Sequence, residues 1–559
     1  MNLIDGNSRF SKSVTKEISR SIIDRDNTLL TSFSAGKLVP IYLDEVLPGD
    51  TVTMDMSMVC RMATPLYPVM DTAWIDVHWF FVPARLLWDN WKYFMGESPD
   101  AWDSDINRVV PTDSPEQDGK DFYSYAGLPF GHVPGNTQAE NFVVNALPRR
   151  AYQLIWNEWY RDQNLQDAIL VDKGDTGLSN QLISLLPVNK YKDYFTSALI
   201  EPQKGNAVPL PVNVSNMMPV YTRAETVPDY GTIYPLRFNQ SGGLASDVAF
   251  NLLLKKDTSN GLSALRRETT SGISSSSVDT SDNISPANLW AMASLDDTYV
   301  GTINDLRQAF AVQRLLELDA RGGTRYRELV KAHFGVDVGD SRVQVPEYLG
   351  GVHVPINIQQ VVQQSSTSSE PSPLGETGAM SKTVHKGSMF TKSFVEHGYL
   401  MAFASVRTQH SYQQGIHKMW SRSSRFDFYW PELANIGEQA ILNKEIFAIS
   451  APQDDEVFGY QEAWADYRYK PNMITGNMRQ YADSLDTDKS LAVWHYGDFY
   501  ESVPRLSDEW VRETDTNVAR TLAVSDTAIF DQFLADFYFK GRWARPMPLY
   551  SIPGLSGHF

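Results

Sequence analysis

From Thr51 to Met62 the chain alternates without a break. Val52, Met54, Met56, Met58, Cys60 and Met62 hold one parity, while Thr51, Thr53, Asp55, Ser57 and Arg61 are among those on the other. A period of two predicts a strand with one face in a core. Leu47-Pro48-Gly49-Asp50 predicts the turn before it, because Pro presets φ at one turn position and Gly accepts positive φ at the next. Trp74 to Val82 predicts a second strand, with Ile75, Val77, Trp79 and Phe81 on one face. Asp76 and His78 lie on the other, yet Trp74 and Phe80 make that face partly apolar, so cover on both sides is expected. Ser388 to Glu396 and Tyr399 to Arg407 predict a hairpin about His397-Gly398, and Phe533 to Lys540 a further aromatic strand. Strands at both ends of a chain, joined through long connections, are the habit of Greek-key and jelly-roll sandwiches. The expected class is therefore mainly β.

Helical spacing occupies the connections. Pro148 suits a first helical position, and Tyr152, Ile155, Trp156, Trp159 and Tyr160 follow at helical intervals. Thr302 and Asp305 open another helix, which Ile303, Leu306, Phe310 and Leu315 continue until Gly322-Gly323, and a partner runs from Thr324 towards Gly335. Residues 259–285 are crowded with Ser, Thr, Asp, Asn and Gly, and residues 359–373 with Gln, Ser and Pro; both predict exposed loops. No internal repeat is present.

At 559 residues the chain has length for roughly three or four domains, or for one large domain with long insertions. Its 14 Trp, 26 Tyr and 26 Phe, with 35 Gly and 30 Pro, favour short strands and punctuated turns over long helices. Cys60, the single cysteine, excludes an internal disulfide and a multi-cysteine zinc site, and its place in the apolar phase makes it a small core residue. No apolar run approaches the roughly 18 residues that span a bilayer, and the first ten residues lack a signal-peptide apolar stretch, so folding in a cytosol without a membrane partner is expected. With 49 Lys plus Arg against 67 Asp plus Glu the net charge is −18, which opposes unspecific attraction to phosphate.

No Walker A loop, Gly-x-Gly-x-x-Gly turn, Gly-x-Ser-x-Gly elbow or His-Glu-x-x-His pair occurs. His385, His397, His410 and His417 share no predicted face, so solvated or singly hydrogen-bonded histidines are expected and no metal. Asp44-Glu45 and Asp103 with Asp105 sit beside turns, where carboxylates are ordinarily solvated, and no catalytic residue is assigned. Basic and aromatic residues interleave twice, as Lys418, Trp420, Arg422, Arg425 and Phe426, and as Lys540, Arg542, Trp543 and Arg545. Such mixtures pair phosphates and stack unpaired bases. The plainer expectation is a strand whose aromatics pack inward under Arg stems. Residues 1–30 hold Arg9, Lys12, Lys16, Arg20 and Arg25 against four acidic side chains, which is no charged arm.

Several segments together resemble the major capsid protein of gokushoviruses, small icosahedral single-stranded DNA bacteriophages of the microvirus group. They include Phe33-Ser34-Ala35-Gly36-Lys37-Leu38-Val39-Pro40, Phe81-Val82-Pro83-Ala84-Arg85-Leu86-Leu87-Trp88-Asp89-Asn90-Trp91 and Trp156-Asn157-Glu158-Trp159-Tyr160-Arg161-Asp162-Gln163-Asn164. Asp319-Ala320-Arg321-Gly322-Gly323-Thr324-Arg325-Tyr326, Arg425-Phe426-Asp427-Phe428-Tyr429-Trp430-Pro431, Trp464-Ala465-Asp466-Tyr467-Arg468-Tyr469-Lys470-Pro471 and Arg545-Pro546-Met547-Pro548-Leu549-Tyr550-Ser551-Ile552-Pro553-Gly554 carry it further.

The resemblance implies an eight-stranded antiparallel jelly roll of the viral capsid type, with long helical and loop insertions, formed by residues 1–211 and 302–559. Residues 212–301, where it thins, correspond to a variable insertion that rises above the shell at the three-fold axes. The implied role is structural, without catalysis or cofactor: sixty copies close into a T=1 shell around a circular single-stranded DNA genome in the host cytoplasm. Implied partners are a small basic packaging protein, other virion proteins and a host-cell receptor. Such a shell would carry roughly a thousand negative charges, so positive charge must come from elsewhere. Lys540, Arg542, Trp543 and Arg545 are candidates to face the genome. Pro546, Pro548, Tyr550 and Pro553 mark a tail whose prolines keep it out of any ladder and free to reach a neighbouring subunit. A carbohydrate-binding or carbohydrate-active β-sandwich is the alternative for an acidic, aromatic-rich chain.

Overall fold

The computed structural model describes residues 19–97, 109–116, 119–129, 142–206, 208, 303–323, 325–336, 343–364, 375, 377–480, 491–524 and 530–550, with short strands between 220 and 291. The chain divides into two compact units, Met1–Lys204 with Glu317–Phe559, and Gly205–Leu316.

The strands that build two sheets of the first unit are β1 (Ser21–Asp24), β2 (Asn27–Phe33), β3 (Val39–Val46), β4 (Thr51–Met62), β5 (Ala73–Pro83), β6 (Glu347–Pro355), β7 (Thr383–Ser393), β8 (Gly398–Thr408) and β9 (Phe533–Arg545). In one sheet β9 lies between β4 and the edge segments β1 and β2, and β7 flanks β4 on its far side. The other sheet runs β6-β5-β8-β3. Every one of these pairings is antiparallel.

The alternation of β4 does what its period requires: Val52, Met54, Met56, Met58, Cys60 and Met62 are all buried. They meet Phe537 and Phe539 of β9, and Trp79 of β5 closes the contact between sheets edge-on to Phe539, ring centroids 5.6 Å apart. Each such side chain taken from water contributes about 1.5–3 kcal/mol. The Leu47–Asp50 turn before β4 has Gly49 at φ 93°, a conformation that an L side chain resists. β5 is buried on both faces, because its second face, with Phe80 and Val82, packs against Tyr152, Ile155 and Trp156. The first two come from α1 (Leu147–Ile155), which carries Pro148 in its first turn, and Trp156 opens the π-helical turn Trp156–Tyr160 that follows it.

The expected hairpin about His397-Gly398 is not formed. β7 pairs with β4 while β8 pairs with β5 and β3, so the connection crosses from one sheet to the other. Phe394 drives the crossing: it is buried, packs against Phe81 at 4.6 Å between ring centroids, and its N–H donates to the Asp50 carbonyl. Two adjacent strands face one core from opposite sides only if they belong to facing sheets.

α2 (Ile303–Arg321) and α3 (Tyr326–Phe334) lie where the helical spacing put them, and α3 ends on left-handed Gly335. Leu306, Phe310 and Leu315, which set the period of α2, are exposed. In the second unit Leu252–Lys256 pairs with Ser263–Thr269, which also pairs with Gly272–Ile273, and Phe238–Gln240 pairs with Ile284–Pro286. Residues 259–285 therefore include strand, contrary to the loop expectation. Composition limits what a segment buries, whereas a ladder needs only backbone donors and acceptors. Similarly, Ile358–Val362 pairs with Thr377–Ser381 as an arm with exposed glutamines; residues 365–374 lie outside the described ones.

Candidate assembly and nucleic-acid surfaces

β9 has one face in the core and one open. Lys540 and Arg542 project from the open face, opposite Asp55 and Thr53 of β4 in register. Asp24 pairs in register with Arg542 from β1, and Lys386 lies two strands away opposite Ser57. The open face thus mixes signs and is not a basic patch. Trp543 falls on the other parity and is 0% exposed, with the guanidinium carbons of Arg25 and Arg545 5.0 and 4.5 Å from its ring centroid. It has no free face for a base, so the expectation of a genome-facing Trp543 is corrected: strand parity places it in the core. Arg545 is also committed, donating to the Asp50 carboxylate at 3.0 Å and to the Glu45 carbonyl at 2.6 Å.

That ion pair anchors the tail. Beyond it Met547, Pro548, Leu549 and Tyr550 follow one another in solvent, Tyr550 at 76% exposure. Pro546 lies against the Leu47–Asp50 turn, where a side chain on Gly49 would touch its ring at 3.6 Å. Pro553 lies outside the described residues. An exposed run of apolar side chains fixed at its root is suited to covering another surface.

The other basic and aromatic segment departs from the expectation that its aromatics pack inward. Residues 418–433 form successive 3₁₀ turns instead of a strand, and Trp420 and Phe426 are 75% and 72% exposed. Phe428, Tyr429, Tyr467 and Tyr469 are also exposed. Arg422 is ion-paired with Asp466 and lies 4.3 Å from the Tyr467 ring centroid; Arg425 lies 4.6 Å from that of Trp430.

The buried charges serve the scaffold. His410 was expected to be solvated or singly bonded, yet it is buried with Nδ1 2.9 Å from Asp498 and Nε2 2.8 Å from Glu513. Lys190 stands 3.7 Å from Asp498 and over the Trp510 ring. Burial alone would lower the His410 pKa; the two carboxylates outweigh it and push it up to about 10. Asp76 is likewise buried, held by Arg407 and by the Tyr191 hydroxyl at 2.8 Å. Desolvation opposes its charge, but the Arg407 guanidinium keeps its carboxyl below the usual range. In both clusters the charged groups are turned to each other, and Lys190, Tyr191 and Arg407 also line a cavity of about 360 Å3. Of the acidic pairs, Asp44 is tied to Arg25 at 2.7 Å, and Asp103 and Asp105 lie outside the described residues. Cys60, deep in the sandwich, has its thiol pushed up to about 12 by burial, which keeps it protonated and inert.

The sequence matches the family described as capsid protein (F protein) over residues 11–555. It is 39% identical to capsid protein VP1 of Bdellovibrio phage phiMH2K, the alignment covering 98% of each chain. It is 38% identical to capsid protein VP1 of Spiroplasma virus 4 and 37% identical to that of Chlamydia phage 1, covering 98% of this chain and 97% of each relative. A match of this extent, with the motifs from Phe33 to Gly554 in order, leaves one conclusion: the chain belongs to the phage capsid protein (F protein) family, among the gokushovirus type of microvirus capsid proteins.

Proposed function

We propose that this capsid protein is the repeating subunit of a closed T=1 shell of sixty copies around a circular single-stranded DNA genome, and that its sandwich is a jelly roll. The strand order carries the reading. Counting β1 and β2 as one interrupted edge strand leaves eight, which in chain order run 1-8-3-6 in one sheet and 5-4-7-2 in the other. That is the order of two interlocked Greek keys, an arrangement that recurs in viral shells because its corner loops accept long insertions. The exposed Met547–Tyr550 run supports a tail that ties one subunit to the next.

In this reading residues 212–301 are a protrusion above the shell at the three-fold axes, which takes part in attachment to a host-cell receptor. A compact unit at Gly205–Leu316 is consistent with it. Lys540 and Arg542 offer local contacts to the genome, and a small basic packaging protein and other virion proteins supply the positive charge that a −18 subunit lacks. Assembly takes place in the host cytoplasm, and the role is structural, without catalysis. Electron microscopy of the purified chain is the test: uniform closed shells are expected, and small discrete particles at every protein and salt concentration would overturn the proposal. Deleting residues 259–285 should still give closed particles, with reduced adsorption to host cells; loss of all assembly would refute the protrusion.

A further inference from the structure

A groove of about 880 Å3 opens beside the exposed 3₁₀ turns. Trp420, Tyr467 and Tyr469 line it, each more than half exposed, and Lys470 and Arg479 stand with them. Arg422 covers one face of Tyr467, and exposed rings are costly unless something covers them. The fixed charges point to what that is. Asp466 in the groove is already neutralised by Arg422, and Arg468 is held by Glu462 at 2.5 Å. Among the described residues neither Lys470 nor Arg479 has an acidic partner; Arg479 only donates its Nε–H to the Ile474 carbonyl at 3.1 Å. On a chain of net charge −18, the described residues that line the groove carry a local excess of positive charge beside aromatic rings.

The frame is built at a cost. Trp464, which opens the turn carrying Tyr467, and Ser450, on the groove wall, both have left-handed backbones, at φ 62° and 59°. Such conformations cost of order 1–3 kcal/mol each and persist where the surroundings over-determine them, most often at binding sites. Trp464 is pinned by donating its indole N–H to the Leu433 carbonyl at 2.8 Å. Gly415 forms part of the wall, where a side chain would strike the Glu445 carbonyl oxygen at 2.0 Å.

We propose that this groove binds a short stretch of single-stranded nucleic acid, stacking bases on Trp420, Tyr467 and Tyr469 and pairing phosphates with Lys470 and Arg479. The inference rests on the genome-container reading and names a site for it. A single strand brings one phosphate per base, which matches rings and cations set together.

The experiment is anisotropy titration of the full-length soluble subunit with a labelled oligothymidine of about ten nucleotides, over a range of salt. Each phosphate neutralised on a single strand contributes about −0.7 to the log–log salt slope, so the Lys470→Gln, Arg479→Gln double variant should flatten it by about 1.4. Trp420→Ala should weaken binding on the order of tenfold with an unchanged slope, and Trp420→Phe, which keeps a ring, should bind close to wild type. Trp420 is so exposed that truncation removes little packing; matching urea midpoints verify this. Wild-type binding that none of these variants alters would overturn the groove while leaving the container reading in place. Trp420→Ala that binds DNA normally but no longer assembles would give the groove to a second copy of the chain, and overturn the proposal. No oligonucleotide binding by wild type at low salt would overturn it too, and micrographs of the same preparation decide the shell separately.

Discussion

His410 is a cation held between two buried carboxylates, with Lys190 beside one of them, so two positive charges balance two negative ones in a dry space. Its folded pKa of about 10 exceeds the ordinary 6.5 of the unfolded chain. Protonation is therefore coupled to folding: the stabilisation is complete below about 6.5 and is lost as pH rises through about 10. His410→Gln should lower stability by about 3–5 kcal/mol at neutral pH, because it leaves buried carboxylates without their counter-charge. The gap in urea midpoint between the two proteins should narrow as pH climbs towards 10. A constant gap would mean that the imidazole acts by shape alone. On β9, replacing Lys540 and Arg542 with Gln removes open-face charge without touching the Asp50 pair of Arg545. Empty shells should form normally while the yield of filled ones falls, measured by the ratio of absorbance at 260 and 280 nm.

At the scale of elements, α1 is fixed to the short strand Thr112–Glu116 by a buried ion pair. Arg149 donates from Nε to Asp113 at 2.6 Å, and both are buried. Asp113 also accepts from the Leu178 N–H at 2.7 Å. Desolvation of Asp113 opposes its charge, yet the bonds from Arg149 and Tyr123 hold its pKa below the usual carboxylate value. Arg149→Met should cost about 3–5 kcal/mol in urea unfolding, since an uncompensated charge stays behind. The strands themselves were legible: the methionine stripe of β4 and the double-sided β5 follow from period and face composition alone. Their partners were not. His397-Gly398 reads as a hairpin turn because neighbouring strands usually pair, and only the burial of Phe394 against Phe81 sends the chain across the sandwich. The exposed aromatics at 420–430 escaped for a related reason. A side chain's type says what burial would gain, but a residue that meets its partner in another molecule has the same composition as one that meets it at home. The tie of His410 to Asp498 and Glu513 spans 88 and 103 residues and leaves no local trace.

For the whole molecule, charge sets the conditions of assembly. Subunits at −18 repel, and screening over about 10 Å at 0.1 M salt should lower the concentration at which shells form; polyamines should lower it further. Light scattering against salt measures this, and assembly that weakens with salt would refute it. Removing residues 546–559 should leave a folded subunit, judged by an unchanged unfolding midpoint, that fails to close; normal shells would refute the tail's role. The position of β9 carries a further consequence, one of timing. This strand is inserted between β1 and β2 on one side and β4 on the other, yet it follows every other strand of the two sheets in chain order. Until Phe533–Arg545 has left the ribosome, β4 lacks the neighbour that covers its whole length, and the sandwich has no complete first sheet. A nascent chain, or one cut short by a premature stop before Phe533, therefore exposes its methionine stripe and is a substrate for chaperones and proteases. A chain lacking β9 should therefore fail to join a particle, and the order of strands would then act as an inspection step that keeps incomplete copies out.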